Sequence, residues 1–208
     1  MKSNSRILAL LSAITLLNGP LITDASAADI ATLTQPCEDC HGKDGVSQEP
    51  TIPTIAGNSP ELLVYALESF RDKTWPCEDV KYQAGAQKGE TSNMCKAAEK
   101  LSDDDMASIA DYYAEKPFVR AKQSFDPELA KIGKGIHELH CKKCHEDGGS
   151  SPDDDAGILA GQWTPYLEEQ FEQYSSGKRP MPEKMKPKYE ELSQDDIKAL
   201  IQFYASFQ

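Results

Sequence analysis

The pentapeptide Cys37-Glu38-Asp39-Cys40-His41 recurs as Cys141-Lys142-Lys143-Cys144-His145, 104 residues later. Its surroundings recur in the same register: Ile55-Ala56-Gly57 falls on Leu159-Ala160-Gly161, Leu63 on Leu167 and Phe70 on Tyr174. Further along the offset shortens to 91, and Leu101-Ser102 meets Leu192-Ser193. In that register Met106, Ile109, Ala110 and Tyr113 meet Ile197, Leu200, Ile201 and Tyr204. A chain written in this way folds as two copies of one supersecondary plan, each of about 90 residues. The first copy carries 13 extra residues, the difference between the two offsets.

The elements of that plan are helices. Ser102 and Ser193 each stand three residues before an acid, Asp105 and Asp196, which is a helix-capping signature. Apolar residues then recur at i, i+3, i+4 and i+7, so each helix has one buried stripe. Pro60–Lys73 and Pro165–Gly177 read as helices with a proline in the first turn, and Pro127–Cys144 as another running into the second cysteine motif. No alternating strand pattern is expected anywhere. The chain reads as all-α, with two tandem domains over residues 28–118 and 119–208 and the extra 13 residues inside the first. Lys116–Glu128, with prolines near both ends, reads as the connector. Domains this small have marginal cores and need a staple or a cofactor.

The first residues read as an export signal. Lys2 and Arg6 precede the apolar run Ile7–Leu17, Asn18-Gly19-Pro20 breaks it, and Ala25-Ser26-Ala27 supplies a cleavage pattern. The run is too short to cross a bilayer, which takes about 20 residues. Residues 1–27 are therefore expected to be a signal peptide, cleaved near Ala27, and the mature chain to be periplasmic without a membrane span. The whole chain has 22 Lys and Arg against 34 Asp and Glu, a net charge of −12. So acidic a chain lacks the basic face that nucleic acid requires. It favours instead a basic protein partner and rapid, salt-sensitive encounters.

Cys-x-x-Cys-His is the attachment sequence of c-type haem. Two thiols one helical turn apart reach the two vinyl groups of one porphyrin, and the next histidine lands beneath the iron as axial ligand. Cys37 and Cys40, then Cys141 and Cys144, are the expected thioether positions, with His41 and His145 on iron. Two covalently bound haem c groups follow. A four-cysteine zinc site is the rival, but such ribbons set their pairs about 15–20 residues apart.

The second axial ligand is read from the repeat. Met94 meets Met185 at the offset of 91, each seven residues before a Leu-Ser pair, whereas Met106 meets Ile197 and reads as core. Met94 and Met185 are the expected ligands, and Met181 is the rival to Met185. Two His/Met sites imply relatively high potentials. Cys95 meets Lys186, so its sulfur stands outside the repeated chemistry. In an oxidising compartment it is expected to pair with Cys77, the one other cysteine outside the motifs; free thiols are the alternative. Closing that loop would contribute about 3 kcal/mol in the chain-entropy model. His137 and His140 meet Leu33 and Pro36, so half the protein manages without them and packing or surface roles are expected. The acidic runs Asp103–Asp105 and Asp153–Asp155 read as a helix N-terminus and a solvated loop, with calcium a minor alternative.

With these residues in place the chain resembles the dihaem cytochromes c4, two class I cytochrome c domains in tandem. Ile52–Gly57 is similar to that family's P-x-L-A-G segment, whose proline carbonyl holds the second nitrogen of the haem histidine. The second half departs from it, with Gly157 in the proline's place. Ala121–Asp126, Ile158–Leu167, Arg179–Met185 and Phe203–Ser206 resemble the cytochrome subunit of flavocytochrome c sulfide dehydrogenase. That resemblance implies an electron-accepting subunit, not catalytic on its own. Its partners would be an FAD-containing sulfide dehydrogenase subunit and a soluble cytochrome or oxidase. The alternative is a free-standing c4-like shuttle to a terminal oxidase or reductase. A haem enzyme in its own right, such as a dihaem peroxidase or thiosulfate dehydrogenase, is a third class.

Overall fold

The computed structural model describes residues 26–208; the rest of the expected signal peptide, residues 1–25, lies outside the described residues. Helix α1 (Ser26–His41) leads into the first cysteine motif. Helix α2 (Pro60–Arg71) starts at Ser59, whose side chain accepts from the Leu62 amide while Pro60 supplies the preset φ of a first turn. A short helix α3 (Met94–Ala98) and helix α4 (Asp103–Ala114) complete the first unit.

The second unit repeats the order. Helix α5 (Pro127–Ile136) is capped by Asp126, which accepts from the Glu128 and Leu129 amides at 2.9 and 3.1 Å. Helix α6 (Thr164–Ser175), the short α7 (Lys186–Tyr189) and α8 (Gln194–Ala205) follow. Both expected capping boxes form. Asp105 Oδ2 accepts from the Ser102 amide at 2.9 Å and Asp196 Oδ2 from the Ser193 amide at 2.8 Å, and each serine caps the aspartate's amide in return.

Two expectations need correction. The helix expected over Pro127–Cys144 is regular only to Ile136; His137–Cys141 widens into a π-turn, with the Lys142 amide donating to the His137 carbonyl at 2.9 Å. The extra segment of the first unit, where no strand pattern is legible, closes as an antiparallel pair, β1 (Val80–Lys81) on β2 (Thr91–Ser92). Two residues a side are too few to show alternation, so the ladder rests on its turn and on what covers it.

Each unit buries the stripe of its last helix. Met106, Ile109 and Tyr113 of α4 pack with Leu67 of α2; Ile197, Leu200, Ile201 and Tyr204 of α8 pack with Leu167 of α6. Identical backbone bonds frame the two cores. Ile55 and Ala56 donate to the Gly45 carbonyl as Leu159 and Ala160 donate to that of Gly149. Gly57 donates to the Tyr113 carbonyl as Gly161 does to that of Tyr204.

The connector is bonded to the second unit: Ala121 donates to the Gly161 carbonyl at 2.7 Å, and the Gln123 side chain bonds both the Gln162 carbonyl and the Thr164 amide. The two units are also joined directly. Trp163 Nε1 donates to the Ser47 carbonyl at 3.1 Å. Arg179 of the second unit lays its guanidinium 3.5 Å over the ring of Trp75 in the first, a cation–π contact that Tyr174 backs at 4.9 Å.

Candidate haem sites

In the first unit α1 carries Cys37 and Cys40 one turn apart and ends on His41. His41 is buried, and its Nδ1 lies 2.9 Å from the Pro53 carbonyl oxygen. That bond assigns the proton to Nδ1 and leaves Nε2 as the free ring donor. Burial lowers the His41 pKa, partly offset by the Pro53 carbonyl, so the ring stays neutral as a metal ligand must. Met94 opens α3 and packs in the same apolar cluster as Cys37, with Leu63, Leu67 and Met106.

In the second unit Cys141 belongs to the core cluster around Tyr204, Cys144 is exposed and His145 is half-buried. Burial lowers the His145 pKa, partly offset by the Gly157 backbone, and the buried Nδ1 has no hydrogen-bond partner. Gly157 thus takes the place of Pro53 without the same grip. Met185 and Met181 are both half-buried and lie outside the cluster that holds Cys141. Met185 directly precedes α7, as Met94 opens α3.

Cys77 and Cys95 form a disulfide, Cα atoms 5.7 Å apart, beside Met94. The extra segment it anchors folds back over the first cysteine motif, with the Gln83 and Ala84 amides donating to the Asp39 carbonyl at 2.8 and 3.0 Å. Cys40 is half-buried beneath it, whereas its counterpart Cys144 is exposed.

The remaining histidines have other duties. His137 is fully buried, its Nδ1 3.1 Å from the Tyr204 hydroxyl and its ring against Phe203 and Tyr204. His140 Nδ1 lies 3.1 Å from a Glu191 carboxylate oxygen. Among the described residues no group of three or more His, Cys, Asp or Glu is placed to hold a metal ion. Asp103–Asp105 form the first turn of α4, and Asp153–Asp155 a single 3₁₀ turn.

Sequence reasoning passed over two amides. Gln162 Oε1 accepts from the Thr54 amide at 3.1 Å and Gln162 Nε2 donates to the Thr54 carbonyl at 2.6 Å; Asn58 Oδ1 accepts from the Ile158 amide at 3.0 Å. At the offset of 104, Asn58 meets Gln162 and Thr54 meets Ile158. Two amide side chains at equivalent positions are the signal that could have found them.

Thiols paired at one-turn spacing ahead of a histidine, in a small helical unit, define a class: a protein that binds haem through thioethers. The four thiols are free, and a buried neutral histidine follows at least the first pair, so the residues present fit that group. A family profile described as cytochrome c oxidase, cbb3-type, subunit III, matches residues 128–203. Cytochrome c4 of Azotobacter vinelandii is 28% identical over 156 residues, 69% of this chain and 69% of the relative. Cytochrome c-554(548) of Halomonas halodenitrificans is 33% identical over 81 residues, 38% of this chain and 83% of the relative. Among solved structures, reduced recombinant cytochrome c4 from Pseudomonas stutzeri superposes with a TM-score of 0.69 at 25% identity. That match covers 88% of this chain and 98% of the other. A thiosulfate dehydrogenase from Marichromatium purpuratum gives 0.63 at 25% identity, over 82% of this chain and 36% of the other. The chain belongs to the c-type cytochromes, which implies covalently bound haem c, and over most of its length it is similar to the cytochromes c4.

Proposed function

We propose that this chain is a periplasmic dihaem electron-transfer protein, exported by residues 1–27, with haem domains over 28–118 and 119–208. Cys37 and Cys40 would attach one haem, with His41 and Met94 to hold its iron; Cys141 and Cys144 would attach the other, with His145 and Met185. Haem c supplies a one-electron couple at its iron when bound. The chain's own residues hold that couple in a fixed setting. His41 is kept neutral and aimed by Pro53, and the clusters around Tyr113 and Tyr204 pack against Cys37 and Cys141, the first thiol of each pair. Fixed ligands and a close-packed shell leave little to reorganise when an electron arrives.

The observation that carries this reading is the duplicated frame, in which Gly45 and Gly149 accept the same pair of amides behind each cysteine–histidine turn. A haem assay on the purified chain, with a spectroelectrochemical titration, tests it. Two haems per chain, two one-electron steps and a methionine-ligation absorption band in both ferric sites are expected. One haem, or an open iron that binds cyanide readily, would turn the reading toward an enzyme.

A free-standing carrier is the form that the cytochromes c4 support best. The second reading is the electron-accepting subunit of a sulfide-oxidising flavocytochrome, favoured by two segments that resemble that family and meet in space. Ala121 and Gln123 of one are bonded to Gly161, Gln162 and Thr164 of the other. Purification from the native source separates the two forms. A co-purifying flavoprotein bleached by sulfide as the haems reduce would make this chain a subunit. Absence of flavin, with no reduction by sulfide, would leave the free carrier.

A further inference from the structure

The peptide group between Pro53 and Thr54 is engaged at both ends. Its carbonyl meets His41 Nδ1 at 2.9 Å, and its N–H donates to Gln162 Oε1 at 3.1 Å. The peptide group between Gly157 and Ile158 stands at the equivalent place in the second unit. Its N–H donates to Asn58 Oδ1 at 3.0 Å, but the His145 Nδ1 of that unit has no hydrogen-bond partner. In each case the amide side chain comes from the opposite unit. Thr54, Asn58, Ile158 and Gln162 are all buried, at 3, 6, 5 and 3% exposure, so water does not compete for these bonds. Each amide is aimed by a second bond: Asn58 Nδ2 donates to the Ile55 carbonyl at 3.2 Å, Gln162 Nε2 to the Thr54 carbonyl.

A peptide is one conjugated group, so an acceptor at its N–H shifts electron density onto its oxygen. That oxygen then pulls harder on the imidazole N–H, and a histidine so held is a stronger donor to a metal through its other nitrogen. We propose that Gln162 is a positioning residue that acts across the interface, setting from the second domain the donor strength of His41 in the first. It acts on His41 through the 53–54 peptide. The inference rests on the reading of His41 as an axial ligand. It gives the interface between the domains a redox role as well as a structural one, because separating the units would release His41 from its polarised acceptor.

A stronger imidazole donor favours ferric iron, so removing the Gln162 amide raises the midpoint of the haem across the interface. The test uses the holoprotein, with both midpoints resolved by spectroelectrochemistry and assigned to their domains by paramagnetic NMR. Gln162→Met is expected to raise the midpoint of the His41 haem alone, whereas Asn58→Leu should move neither midpoint, since the peptide it holds closes no bond to a histidine. Gln162→Glu keeps an oxygen facing the Thr54 amide and should not raise that midpoint. Hydrogen exchange at the Thr54 and Ile158 amides supplies a readout independent of potential, and each should accelerate in its own variant. In Gln162→Met, a shift in the haem of the substituted domain, equal shifts in both, or faster exchange with unmoved midpoints would overturn the relay. If His41→Ala kept two histidine-ligated haem spectra, the ligand reading itself would fall, and the relay with it.

Discussion

Gly133 of α5 lies against the Ala199 carbonyl of α8, so close that a Cβ at this position would overlap the backbone oxygen. The absence of a side chain lets the two helices cross backbone to backbone, with His137 and Tyr204 bonded one turn along the contact. Gly135, two residues on, meets nothing within 4 Å. Gly133→Ala is therefore expected to destabilise the fold by about 1–3 kcal/mol, toward the upper end because the obstacle is backbone. Gly135→Ala should stabilise by about 0.5–1 kcal/mol, from helix propensity alone. Urea unfolding of the holoprotein checks both, and equal effects would remove the crossing as the reason.

The methionine assignments are open to direct test. Met94→Ala and Met185→Ala should each lower the potential of one haem and abolish its methionine-ligation band, while Met181→Ala should leave both unchanged. If Met185→Ala were silent and Met181→Ala were not, the ligand would be the methionine in the turn four residues earlier.

The disulfide should act on one site only. Cys95 adjoins Met94, and the segment that Cys77 closes is bonded to the Asp39 carbonyl inside the first cysteine motif. Its reduction should cost about 3 kcal/mol in the chain-entropy model and loosen Met94. Ligand exchange with imidazole should then speed up at the first haem and stay constant at the second. Equal acceleration at both would contradict the local role.

Acid should unravel the capped helices first. The serine hydroxyl and amide bonds hold Asp105 and Asp196 below the usual carboxylate range. A carboxylate whose pKa is lowered by folding contributes stability above its unfolded value, about pH 4. That contribution is lost as the pH falls through the lower folded value. Helical circular dichroism between pH 5 and 2 should show this loss in the native chain. Asp196→Asn should have a shallower acid limb, and an unchanged limb would mean that the cap carries no linkage.

The sequence by itself determined whatever depends on short spacing. One-turn separation of two thiols ahead of a histidine, a serine three residues before an aspartate, and an apolar stripe of helical period are dictated by backbone geometry alone. They are legible wherever they occur, and the offsets of 104 and 91 showed that the plan is used twice. The tertiary structure decided what depends on where the two copies sit. The bond from Gln162 to Thr54 spans 108 residues and that from Asn58 to Ile158 spans 100. No periodicity specifies such pairs, because they follow from the orientation of one packed unit on another. Likewise, only folding laid the extra segment across Asp39 and sealed His137 between Phe203 and Tyr204. Local geometry sets which groups share a turn, whereas burial and shape complementarity set which turns meet.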